Sequence, residues 1–146
     1  MLLAVALGVS GCANAEEARA VAERGIPQVE AAIAPIAGHG LQFTVTAESG
    51  CSEGCSGAVV IKQTAGQLRV ADVIALHEAV RDIKLDGTFL SSTAIVLSPA
   101  DPYRLVGFEA GFCSTGGNSF GIQNDPNPEC MPRTPTPTPS ATDREH

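Results

Sequence analysis

Tryptophan is absent from this 146-residue chain, Tyr103 is its one tyrosine, and five phenylalanines complete the aromatic set. Stacking platforms for bases or sugars are therefore scarce. Basic residues are few, nine against sixteen acidic ones, for a net charge of −7. An acidic surface repels phosphate backbones and anionic lipid headgroups, which argues against a nucleic-acid partner and against electrostatic membrane docking. Histidine occurs three times, too few for a many-histidine metal site. No Walker A or G-x-G-x-x-G loop follows a strand pattern, so nucleotide binding has no support. No apolar run reaches the ~20 residues that a membrane-spanning helix needs.

What is present is a body of moderate hydrophobicity, 44% apolar and 17% charged. That balance suits a folded domain rather than a disordered chain. Leu2 to Val9 is a short apolar run of the length found in secretory signals. It leads into Val9-Ser10-Gly11-Cys12. An aliphatic residue and two small ones before a cysteine resemble the lipobox of bacterial lipoproteins, although no Lys or Arg precedes Leu2 as basic residues do in such signals. The resemblance covers only the first dozen residues and implies nothing about the fold of the rest. It implies that Cys12 carries a diacylglyceryl group, that cleavage precedes Cys12, and that acyl chains such as palmitate hold the protein on the extracytoplasmic side of the cell membrane. Each buried CH₂ contributes ~0.8 kcal/mol, so two chains anchor stably. Residues 1–11 are then the signal, 12–131 one domain of about 120 residues, and 132–146 a tail.

Removing Cys12 from the five cysteines leaves Cys51, Cys55, Cys113 and Cys130. An even number in an oxidising compartment favours two disulfides. Three connectivities exist. Pairing neighbours, Cys51 with Cys55 and Cys113 with Cys130, is preferred because each pair sits within one loop region; the crossed pairings stay open.

Apolar residues at helical spacing from Glu16 to Ile36 predict a first helix, with Asn14 and Glu17 at capping-box spacing. Gly25 and Pro27 predict a kink or two short helices. Leu41, Phe43, Val45 and Ala47 alternate with polar residues and predict a strand; Ala58–Gln63 predicts its hairpin partner, with Ser49–Ser56 as the tip. Asp72–Lys84 predicts a second helix, burying Val73, Leu76, His77, Val80 and Ile83. Thr93–Ser98 and Tyr103–Phe112 predict two more strands, and residues 114–129 an irregular loop. The order αββαββ gives an α+β fold: a four-stranded antiparallel sheet with two helices on one face, in two units of similar order. The Thr-Pro repeats after Met131 predict an extended, disordered tail.

Chemical motifs are sparse. Gly117-Asn118-Ser119-Phe120-Gly121 matches the G-x-S-x-G elbow of hydrolases, which would make Ser119 a nucleophile. The Asn-Pro-rich residues that follow do not open a helix, and the only later histidine is His146. The chain is also too short for the double barrel that an upstream His39 would require. Cys51 and Cys55 have the C-x₃-C spacing of some copper carriers related to thioredoxin, with His77 as a conceivable third ligand, but the element order around them differs. Asp125, Asn127 and Glu129 alternate like the start of a calcium loop without its turn glycine. Each is outweighed by a plainer reading: a glycine-rich loop, a structural disulfide, a turn. No cofactor is implied. The expectation is a non-catalytic envelope module that binds another envelope protein, with a copper carrier and a serine hydrolase as alternatives.

Overall fold

The computed structural model describes residues 10–36, 38, 40–51, 54–85, 91–100, 105–116 and 119–131. The apolar run up to Val9, the tail after Met131 and two of the three histidines, His39 and His146, fall outside these residues.

The chain begins with a continuous helix α1, Ser10–Ile33, extended by a 3-10 turn at Ala34–Ile36. Asn14 therefore lies inside the helix rather than at its cap. Pro27 does not divide it. Both Pro27 and Glu23, whose carbonyl loses its partner, are exposed residues on the solvent side of the helix. The opposite face carries Ala18, Val21, Ala22, Val29 and Ile33, all buried.

Strands β1, Gln42–Cys51, and β2, Cys55–Ala65, form the expected hairpin, longer at both ends. Its antiparallel register runs without a shift from Phe43↔Gln63 to Cys51↔Cys55. Helix α2, Val70–Val80, opens where the Asp72 carboxylate accepts from the Arg69 backbone N–H at 2.9 Å. Strand β3, Ser91–Ser98, then pairs with β2 in parallel. This overturns the all-antiparallel expectation. An eleven-residue helix between two strands is long enough to return the chain to the starting edge, which makes the neighbours parallel.

The second half departs further. Residues 105–109 are a short helix, α3 (Leu105–Glu109), where a fourth strand was expected. Gly111 at φ 90° ends it. The Gly111 N–H bonds to the Phe108 carbonyl and the Phe112 N–H to the Gly107 carbonyl. This is the Schellman termination, which needs glycine at the left-handed position. The expected irregular loop contains two short strands, β4 (Ser114–Gly116) and β5 (Ser119–Gly121). The fold is α+β, but the described residues form a five-stranded mixed sheet in the order β1-β2-β3-β5-β4 and three helices. The two halves are thus not copies of one unit.

Register places Ala47, Val59 and Ile95 on one face of the sheet, with Val45, Ile61, Leu97 and Phe120 beside them. These residues join α1 and α2 in one core. Gly57 lies where α1 crosses closest: a Cβ there would collide with the Ala18 carbonyl oxygen, a backbone atom that cannot rotate away. Gly57→Ala is expected to cost about 1–3 kcal/mol, the usual range for overpacking, read as a lowered denaturant midpoint.

Two glutamines tie the ends of the elements together. Buried Gln63 donates to the Gly66 carbonyl at 2.9 Å and accepts from the Ala100 N–H at 3.0 Å. Gln123 accepts from the Ile95 N–H and donates to the Ile83 carbonyl, both at 2.9 Å. Neither stands out in the sequence, because Ala100, Ile95 and Ile83, which they join, lie 37, 28 and 40 residues away.

Candidate functional site: a cleft on the open sheet face

The face of the sheet away from the core cluster carries Glu48, Ala58, Lys62 and Ala94 around Val60 and Val96, which are buried. Register brings Glu48 beside Ala58, and Val60 beside Val96. A cleft of about 330 Å³ forms there, floored by Val60 and Val96 and bordered by Ala58, Ala94, Ser56, Thr115 and Ser119. Glu48 is the one charged group among the described residues that line it. The hollow continues toward Ser49 and Gly50, at the hairpin end. It has the size of a small-ligand site, with apolar walls and a few hydroxyls to fix orientation.

Ser119 lines this cleft from β5. It stands in a strand whose pairing ends at Gly121 and continues to Ile122, not at a turn from strand into helix. The Thr115 hydroxyl bonds to the Ser119 carbonyl at 3.3 Å. No histidine is among the described lining residues. The elbow geometry that activates a hydrolase serine is thus not formed here.

His77 is buried elsewhere, on α2, with its ring 5.2 Å from that of Phe112. Its Nδ1 bonds to the Ile122 carbonyl. A carbonyl only accepts, so Nδ1 is the donor. Nε2 faces the exposed Asp125 carboxylate at 3.6 Å. The histidine therefore fastens the C-terminal segment to α2. Asn127 is likewise occupied: its side chain caps a 3-10 turn by accepting from the Glu129 N–H at 3.0 Å. Among the described residues no group of three His, Cys, Asp or Glu is placed to hold a metal ion.

The cysteines pair as neighbours. Cys51–Cys55 closes the hairpin tip with Cα atoms 4.1 Å apart, and Cys113–Cys130 closes the C-terminal loop at 5.1 Å. Disulfide sulfurs are not thiolate ligands. Apart from Cys12, titration of the denatured, unreduced protein is therefore expected to find no free thiol, and the native protein to take up no equivalent of copper or zinc. One metal ion bound with Cys51 and Cys55 reduced would establish a carrier instead.

Cys12 lies in the first turns of α1. No helix among the described residues is long and apolar enough to cross a membrane. Comparison with protein-family models, with curated proteins and with solved structures finds no match.

Proposed function

We propose that this chain is a lipid-anchored protein of the bacterial envelope, extracytoplasmic, and that its open sheet face binds another envelope component without transforming it. The observation that carries the reading is the Val9-Ser10-Gly11-Cys12 box at the head of α1. Two disulfides within the domain suit an oxidising compartment.

The geometry adds an orientation. Cys12 precedes Ala18, the first fully buried side chain among those described, by six residues. In a helix that is roughly 9 Å, at about 1.5 Å per residue. The lipid thus leads into the domain with no stalk. Ala18 sits beside Gly57, and Ile33 beside Phe43, the partner of Gln63, so α1 runs in the same direction as β2. Cys12 and the Cys51–Cys55 tip therefore share one end of the molecule. The cleft, with Glu48 and Ser56, opens near that end and would face a partner close to the membrane.

Expressed with a functional export signal, the protein is expected to enter the detergent phase in phase separation, and Cys12→Ser to leave it. A variant that stays with the membrane ends the lipoprotein reading. A photo-crosslinker at Ala58, used in intact cells, is expected to capture one envelope component reproducibly. Failure to capture any would remove the cleft from the proposal.

A further inference from the structure

We infer that the free edge of β1 is a docking site for an extended, basic peptide segment of a partner protein, which adds to the sheet as a sixth strand. The inference deepens the binding-module reading and rests on it; it does not depend on the lipid.

The first ground is the edge itself. β1 is the first strand in the sheet order, ten residues long, and no strand among the described residues pairs with its outer side. Proteins blunt such edges with proline, lysine, bulges or shortness, because unpaired N–H and C=O groups recruit other chains. Phe43–Ala47 has none of these: it contains no charge and no proline, and its register is regular. The other edge, β4, is three residues long with a register shift. Of the two edges among the described residues, β1 offers the longer regular stretch, its one register shift lying between Gln42 and Phe43.

The second ground is a hollow of about 330 Å³ beside that edge, lined by Glu30, Ile33, Ala34, Phe43, Thr44 and Val45. Phe43 and Val45 belong to the helix-covered face, while Thr44 alternates to the other. A hollow that touches both faces opens at the edge itself. In strand addition the backbone supplies affinity and alternate side chains enter such hollows. The added strand would place one apolar side chain between Ile33 and Phe43.

The third ground is charge. Glu30 borders the hollow from the helix side. It is exposed and has no cationic partner among the described residues. Glu48 and Lys62 both belong to the other face, with Thr44, and do not set the charge on the helix side. The helix-side face of an incoming strand thus favours Arg or Lys where it passes Glu30. A second copy of the chain, also at −7, is disfavoured by like-charge repulsion.

The test uses the full-length protein in detergent and a fluorescein-labelled peptide, Thr-Arg-Thr-Leu-Thr-Val-Thr. Saturable binding is expected, at least tenfold weaker when the peptide's Arg is replaced by Glu. Hydrogen exchange is expected to slow at alternate amides of Phe43–Ala47. Val45→Lys, an inward charge at the edge, should abolish binding. Should that variant misfold, exposed Glu30→Lys serves instead: it should invert the preference toward the Glu peptide. No saturable binding, or equal binding of the Arg and Glu peptides, overturns the inference. So does protection at Ser56–Val60, although that result would leave the cleft reading standing. A dimer in sedimentation that Val45→Lys disperses would replace the peptide by a second copy. Detergent partitioning of the same sample reports separately on Cys12.

Discussion

Phe120→Ala is expected to cost about 3–5 kcal/mol, a large part of the 5–15 kcal/mol that holds a domain of this size together. Phe120 is 2% exposed in a strand of three residues. It pairs in register with Leu97, and its ring meets the edge of Phe108 at 4.8 Å and 85°. Such edge-to-face pairs contribute about 0.5–1.5 kcal/mol beyond area burial. Gly107 of α3 lies against the same ring, with no room for a Cβ, so the surrounding backbone is fitted to this one side chain. Truncation would leave a cavity that α3, held by the Gly111 cap, cannot readily collapse into. Urea unfolding followed by circular dichroism measures the loss. A change below about 1 kcal/mol, typical of surface substitutions, would mean that Phe120 is not part of the core.

Phe120 also marks where the sequence stops being informative. The strand patterns of β1 and β2 are legible because several apolar residues in each alternate or run together, and the hairpin and the Cys51–Cys55 pair at its tip follow from them; the Cys113–Cys130 pair follows from its place within one loop region. Among the described residues after Cys113, the only core side chains are Phe120 and Ile122. Two residues are too short a pattern to register as a strand, and the glycines and asparagine around them read as loop. The alternation from Leu105 to Phe112 fitted a strand equally well. Its helical outcome depends on Gly111 at φ 90°, a local signal, and on Gly107 facing a ring from a later strand, which is not local. The parallel pairing of β2 with β3 was implicit in the length of α2 and was outweighed by the apparent repetition of two similar units. The cleft had no sequence signal at all. It is made by small residues, Ser56, Ala58, Ala94 and Ser119, from three strands, and small polar residues separately mean nothing. The β1 edge was invisible for a related reason: a strand pattern does not say which neighbour is missing.

Removing the Cys113–Cys130 disulfide, by serine at both positions to leave no stray thiol, is expected to cost about 3 kcal/mol. In the chain-entropy account the stabilisation grows with the loop closed, giving about 3 kcal/mol for a loop near fifteen residues and about 2 kcal/mol for the shortest loops. The separations here are 17 and 4. The native context widens the contrast. Cys51 and Cys55 are already opposed by a hairpin ladder that runs from Phe43 to the tip, so losing their bond frees only the tip. The 113–130 loop has little else to hold it. Its strands are three residues each, and among the described residues β5 meets β3 at two pairs, Val96↔Gly121 and Leu97↔Phe120. Its other ties include the Gly121 N–H to the Cys113 carbonyl, the Asn127 N–H to the Gly111 carbonyl, and the contacts of His77 and Gln123. That loop nevertheless delivers Phe120 and Ile122 to the core. The disulfide and the Phe120 ring therefore stabilise one unit, and their losses should not add. The double-serine variant combined with Phe120→Ala is expected to fall short of the sum by at least about 0.5 kcal/mol, the threshold at which coupling exceeds ordinary additivity error. Strict additivity would mean that the loop stays docked without its crosslink, and that the short strands, His77 and Gln123 suffice to hold it.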